Sequence, residues 1–211
     1  ISTFTGTGSN ATVGHGLGVA PKMVIIKSMT GGEDWTIFHE AGGGGKYIIL
    51  NSTALFGTNV GAFNNTAPTS SVFSVGTFGA TNGSSQTLVA YCFADVQGYS
   101  KIGSYVGNGN ADGAFQYLGF KPNWVLIKRS NASGDQWQLS DGKRGVNGAI
   151  KTLFPDSAEA EVSSDSIDFL SNGFKNRATS VGRNGSGDTY IYMAFAESPF
   201  VSSSGVPATA R

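Results

Sequence analysis

The side chains able to do chemistry in this 211-residue chain are few, and they are scattered. Two histidines are present, His15 and His39, and no G-x-S-x-G elbow accompanies them. A serine nucleophile beside a base is therefore not provided for. His15 lies in the glycine-rich GHGLG stretch and reads as a turn residue; His39, followed by Glu40, could join a metal or an acid/base site. No His/Cys cluster with zinc spacing occurs, and Cys92 is the single cysteine, so no internal disulfide can form. The acids Asp156, Glu159, Glu161, Asp165 and Asp168 lie close in sequence and raise two chemistries, a carboxylate pair for glycoside cleavage or a calcium site. Neither has its specific spacing, so a solvated acidic loop is the expectation. The AGGGGK run at 41–46 resembles a phosphate loop but carries Glu40 at the place of the first glycine and Tyr47 at the place of the magnesium-binding Ser or Thr. Six Asn-x-Ser/Thr sequons, from Asn10 to Asn184, are what chance yields in a chain so rich in Asn, Ser and Thr.

Aromatic residues are the stronger candidates. Trp35 and Trp137 each follow a strand-like run and are flanked by Gly and Asp, where an exposed indole face could stack on a sugar; a packing anchor is the competing reading. Tyr99 and Tyr105 stand in YSKIGSYVGNGNADG, a segment rich in turn residues that reads as a linker or a binding loop. Together with His39 and its counterpart Asp141, these residues form the candidate ligand-binding set, and no catalytic or metal-ligating residue is assigned.

What must position them is a β framework. Charged residues are only 13% of the chain, and 14 basic residues balance 14 acidic ones, which removes the electrostatic footprint of a nucleic-acid binder. Apolar runs such as MVII at 23–26 are far too short to span a bilayer. With 39% apolar residues the chain still has enough to build a core. Short segments rich in Val, Ile, Tyr and Phe at 23–27, 47–51, 87–94, 124–128 and 189–196 are separated by Gly, Asn and Ser clusters, the pattern of strands and turns. Along 87–94 both alternating faces are apolar, as in a strand covered on both sides. One helical turn is expected at SAEAEV, 157–162.

The pattern occurs twice. Phe4, Gly6, Gly8, Gly18 and Pro21 return as Tyr105, Gly107, Gly109, Gly119 and Pro122, in an ungapped register of 101 residues. MVIIK returns as WVLIK, LVAYCFA as YIYMAFA, and the Asn82-Gly83 turn as Asn184-Gly185. The expectation is an all-β protein, of β-sandwich or jelly-roll type, built from two tandem repeats of about 100 residues, 1–100 and 101–211.

The runs APTSSVFSVG, AYCFADVQGYSKIGSYVGNGNADG, GFKPNWVLIKR, IDFLSNGFK and YIYMAFAESPF together resemble the uncharacterised C-terminal domain of phage tail-fibre-like proteins of marine and cyanobacterial podoviruses. The resemblance covers nearly the whole chain, including the ending VPATAR, which looks like a natural terminus. A chain opening at Ile1 with neither initiator Met nor signal peptide fits a piece of a longer fibre. The resemblance implies an extracellular virion component, homotrimeric, contacting other tail proteins and binding a host-surface polysaccharide or protein without catalysis. The alternatives are a purely structural fibre tip or decoration domain, and a polysaccharide depolymerase with two carboxylates about 5–10 Å apart. No cofactor is implied, calcium is left open, and neither nucleic acid nor membrane insertion is expected. The family's binding residues are not established, so none transfers.

Overall fold

The computed structural model describes residues 1–145, 147, 149–163 and 167–198; Asp165 and the VPATAR ending lie outside the described residues. The chain divides into two compact units, Ile1–Ala94 and Asp95 onward, a little ahead of the boundary expected at residue 100. Each unit is described by itself.

In the first unit the elements are β1 (Ser2–Thr5), β2 (Ala11–Gly14), β3 (Met23–Ser28), β4 (Thr36–His39), β5 (Lys46–Ile49), β6 (Gly57–Thr58), α1 (Val60–Phe63), β7 (Val72–Val75), α2 (Gly79–Asn82) and β8 (Thr87–Phe93). A six-stranded antiparallel sheet runs in the order β1-β8-β3-β4-β5-β6, and β2 pairs with β7 in a separate ribbon. The core lies between them. Val24 and Ile26 of β3, Phe38 of β4 and Leu88 and Ala90 of β8 pack on Phe73 and Val75 of β7 and on Ala62 and Phe63 of α1. Alternation on a pleated strand explains this choice, because residues two apart share a face. The opposite face is apolar too, with Met23, Ile25 and Ile37 buried and Val89 and Tyr91 half-buried.

The second unit comprises β9 (Ser100–Val106), β10 (Phe115–Tyr117), β11 (Pro122–Arg129), β12 (Gln138–Asp141), β13 (Lys151–Leu153), β14 (Val162–Ser163), β15 (Ile167–Leu170), β16 (Gly173–Asn176), α3 (Val181–Asn184) and β17 (Thr189–Ala196). Its six-stranded sheet, β9-β17-β11-β12-β13-β14, places first, last and intervening strands in the same order as the first unit's. The small sheet has three strands, β10-β16-β15, where the first unit has two. Val125, Ile127, Tyr105, Tyr190 and Tyr192 from the large sheet pack on Phe169 and Phe174 of the small one. The fold is therefore all-β, of sandwich type, with antiparallel sheets throughout.

Two expectations are corrected. SAEAEV forms no helical turn; residues 157–161 are irregular and Val162 begins β14. Among the described residues the helical ones instead form three single turns, α1, α2 and α3, of which α2 and α3 end on the asparagines of the Asn-Gly turns. The segment Tyr99–Gly113 is not a linker: its first half is β9, an edge strand paired with β17 along its length.

Candidate functional site

The residues that return at a spacing of 101 or 102 make matching local contacts. Phe4 meets Phe73 edge-on with ring centroids 6.1 Å apart, and Tyr105 meets Phe174 at 6.1 Å and the same interplanar angle. A Cβ on Gly6 would run into the Gly83 carbonyl, and one on Gly107 into the Gly185 carbonyl. After each comes a loop held by one buried asparagine. Asn82 accepts from the Thr7 N–H (2.8 Å) and donates from Nδ2 to the Gly76 carbonyl (2.7 Å), the Ser9 carbonyl (2.6 Å) and Thr7 Oγ1 (3.1 Å). Asn184 accepts from the Asn108 N–H (3.0 Å) and donates to the Asn110 carbonyl (2.8 Å), the Ala178 carbonyl (2.9 Å) and Asn108 Oδ1 (2.9 Å). Lys27 donates to the Glu33 carbonyl, and Lys128 to the Asp135 carbonyl. The Trp35 N–H donates to Asn51 Oδ1 (3.0 Å), as the Trp137 N–H does to Asp156 Oδ1 (3.1 Å). These shared residues are scaffold.

Most of the candidate ligand-binding residues belong to that scaffold, which corrects the expectation of loop-edge side chains. The Trp137 indole is 1% exposed and offers no ring face to a sugar. His39 is buried, with Nδ1 accepting the Ala41 N–H (3.2 Å). Tyr105 is buried against Tyr190, ring centroids 5.0 Å apart, and its hydroxyl donates to the Arg183 carbonyl (2.7 Å). Burial pushes that phenol's pKa up. Asp141 is half-buried and engaged: Oδ1 accepts the N–H groups of Lys143 (3.0 Å) and Arg144 (3.1 Å), and Oδ2 pairs with Arg144 Nε (2.8 Å). Trp35 is half-buried and lies flat on Tyr91 at 6.3 Å. Tyr99 is 44% exposed, edge-on to Phe195 at 5.6 Å. It is the one member of the set that stays open. The other singled-out features resolve likewise. His15 is buried in its turn, accepting the Leu17 N–H and contacting the Thr69 carbonyl, and Gly44 of the AGGGGK run packs on the Asn65–Thr66 backbone.

Exposed aliphatic side chains occur in both units, but among the described residues the exposed aromatic rings, Tyr99, Phe115 and Tyr117, all lie in the second. Phe115 and Tyr117 project from one face of β10 and are 42% and 66% exposed. Cross-strand register sets Phe115 beside Lys175 of β16, which in turn lies beside Asp168 of β15; Tyr117 stands beside Gly173 and Leu170. On the opposite face Gln116, Phe174 and Phe169 form one row, with Phe174 and Phe169 in the core. Lys175 Nζ pairs with Asp112 at 2.6 Å, and Arg177 spans Asp168 (2.6 Å) and Asp112 (3.4 Å). The Lys175 ammonium holds the Asp112 carboxyl below the usual carboxylate range.

Tyr117 also forms one wall of a groove of about 370 Å³ that continues past Leu118 and Gly119. The other wall is the turn from Asp95 to Lys101, closed by the Val96–Ser100 bridge, in which Gly98 takes φ +71°. That is the left-handed region glycine enters without strain. Gln97, Ser100 and the Lys101–Asp95 pair (3.1 Å) line it, and Tyr99 lies on the same turn. Two exposed rings, a groove and fixed donors and acceptors thus form one continuous strip within the second unit. In the first unit the positions corresponding to Phe115, Tyr117 and Lys175 hold Thr12, Gly14 and Ser74, and no third strand is present. Phe115 and Tyr117 were missed in sequence because a three-residue strand barely registers as alternation. The FQY triplet one residue after the NGNADG turn is the one signal that could have marked them.

Among the described residues no group of three or more His, Cys, Asp or Glu side chains is placed to hold a metal ion. Nor, among the described residues, is any helix long and apolar enough to cross a membrane.

A two-unit, all-β sandwich with a surface strip of rings and charge pairs defines a class, not an activity. Over residues 1–199 the chain matches a domain of unknown function, DUF7483, and it belongs to that family. No curated protein and no solved structure matches it.

Proposed function

We propose that this chain is the distal, host-facing domain of a bacteriophage tail fibre and that its second unit holds a cell-surface glycan on the strip centred on Tyr117. The observation that carries the reading is the pair of exposed rings, Phe115 and Tyr117, on one face of β10 beside anchored charge pairs and a groove. Two large rings side by side on one strand face form an apolar patch of the kind that marks an interaction site, and sugar C–H faces suit such rings. The resemblance to podovirus tail-fibre domains supplies the setting: an extracellular virion component, homotrimeric, joined to other tail proteins. A composition low in charge and rich in Gly and aromatics agrees with that setting.

Binding without cleavage is favoured by how most of the carboxylates are held; Asp156, which burial raises instead, accepts the Trp137 N–H (3.1 Å) and lies outside the strip. Arg129 spans Asp135 (2.9 Å) and Asp188 (2.7 Å), Arg144 spans Asp141 (2.8 Å) and Glu161 (3.0 Å), and Arg177 spans Asp112 (3.4 Å) and Asp168 (2.6 Å). A glycosidase acid must keep its proton near neutral pH, whereas an adjacent guanidinium favours the ionised form. Arg144 and Lys151 hold Glu161 below the usual range accordingly. A purely structural fibre tip is the second reading, favoured by the burial of Trp137, His39 and Tyr105.

The experiment is adsorption of labelled protein to host cells before and after their surface glycans are stripped. Binding that disappears on stripping, and falls at least about tenfold in Tyr117→Ala, is expected, since one stacked ring supplies about 1.4 kcal/mol or more. Binding equal in all four combinations contradicts the reading.

A further inference from the structure

We infer that the glycan held on this strip is an uncharged one, and that each chain holds it once; this rests on the glycan reading above and deepens it. The strip contains three cations, Lys101, Lys175 and Arg177, and each already has a carboxylate partner in Asp95, Asp112 or Asp168. The three positive and three negative charges cancel. A uronic or sialic acid approaching Lys175 would have to displace Asp112 from a 2.6 Å contact, and one approaching Lys101 would have to displace Asp95 from 3.1 Å. Each exchange trades one ion pair for another and leaves a displaced aspartate beside the incoming carboxylate, so it gains nothing and adds like-charge repulsion. A sugar hydroxyl meets the same pairs differently. It donates to the carboxylate and accepts from the ammonium or guanidinium at once, with no displacement. The rings of Phe115 and Tyr117 then take the apolar face of a neutral pyranose. Successive outward positions on a strand lie about 6.8 Å apart, so the two rings can serve neighbouring parts of a chain rather than one sugar.

The single site per chain follows from the comparison between units. The equivalent positions in the first unit, Thr12, Gly14 and Ser74, carry neither ring nor charge, and its small sheet ends at β7 with no counterpart of Asp168. The scaffold contacts are kept in both units, but the strip is built in one.

The test uses the whole chain and the host's own surface polysaccharide, native and after chemical reduction of its carboxyl groups to alcohols, together with an array carrying neutral and acidic glycans. The expected result is binding of the carboxyl-reduced polysaccharide within about threefold of the native one and neutral hits on the array. Calorimetry should give one site per chain. Raising salt from about 20 to 300 mM should change the affinity less than about twofold, because no net charge is neutralised on binding. All of this should be lost in Phe115→Ala and Tyr117→Ala. The paired substitution Asp112→Asn with Lys175→Gln, which removes both charges but keeps an acceptor and a donor, should retain binding within about threefold. Acidic hits that need Tyr117 and weaken steeply with salt would overturn the uncharged-ligand inference and leave the binding site standing. Two sites per chain would overturn the single-site inference. Binding untouched by loss of both rings, or no glycan bound at all, would refute the site reading itself.

Discussion

Replacing Asn184 by alanine removes a side chain that is fully buried and hydrogen-bonded through both its amide oxygen and its amide nitrogen. Its Oδ1 accepts the Asn108 N–H at 3.0 Å, and its Nδ2 serves the Asn110 carbonyl at 2.8 Å, the Ala178 carbonyl at 2.9 Å and Asn108 Oδ1 at 2.9 Å. Each such bond is worth about 1 kcal/mol net, and a buried group left without a partner costs about 1–3 kcal/mol, so Asn184→Ala should cost about 3–4 kcal/mol. That is a large share of the roughly 5–15 kcal/mol that holds a domain together. Asn184→Asp should be no milder. It keeps the acceptor for Asn108 but aims a carboxylate at two carbonyl oxygens in a site without a counter-ion. The effect reaches the strip, because the loop that Asn184 clasps carries Asp112, the partner of Lys175. Urea unfolding measures the first effect and glycan affinity the second. Asn82→Ala in the first unit, with a matching bond set, should destabilise by a similar amount while leaving glycan affinity unchanged. A loss below about 1 kcal/mol in Asn184→Ala, or an aspartate variant as stable as the parent, would refute the reasoning.

Three further outcomes follow from packing and charge. Gly107→Ala should abolish folding or cost at least about 3 kcal/mol, because its Cβ would enter the space of the Gly185 carbonyl, whereas Gly14→Ala, with open space around it, should stay within about 0.5 kcal/mol; thermal unfolding of the two decides. Arg183 is buried without a carboxylate partner: Nη2 donates to Ser140 Oγ (2.8 Å) and Thr152 Oγ1 (2.8 Å), Nε donates to Gln138, and burial lowers its pKa to about 10. Arg183→Lys cannot serve all three oxygens and should lower stability by about 2 kcal/mol or more in urea titration. Burial raises the Asp156 carboxyl above the ordinary carboxylate range, with Lys128 partly offsetting it, so the folded state binds that proton more tightly than the unfolded chain. The resulting stability is complete below the ordinary value and is lost as pH rises through the raised one. Asp156→Asn keeps an oxygen for the Trp137 N–H and removes that dependence, so the variant's stability relative to the parent should rise with pH across this window. A difference that stays flat with pH would contradict it.

Much of the framework was legible because backbone constraints leave marks in residue type. Gly6 and Gly107 can be only glycine against a facing carbonyl, and the Asn82 and Asn184 side chains substitute for missing backbone partners, so these positions stand out even in one sequence. Strands read well where the apolar run is long, as at 87–93 and 189–196, and poorly where they last two or three residues, as in β10 and β14. SAEAEV has helix-forming composition but runs irregularly, and only its last residue, Val162, pairs with β13 as the start of β14. The site was harder to read for a physical reason. Recurrence at fixed spacing singles out what both units need, which is packing, and so it pointed to Trp137 inside the scaffold, while the chemistry of His39 and the turn-rich setting of Tyr105 drew attention to two further buried side chains. The strip comprises residues without counterparts, and a search for similarity passes over them.

The most direct test of the central claim is a titration of the purified chain with host surface polysaccharide, run in parallel with Tyr117→Ala. Saturable binding by the parent, weakened at least about tenfold in a variant that unfolds at the parent's temperature, is what the strip requires. Equal binding by both proteins, or none by the parent, would place receptor recognition elsewhere.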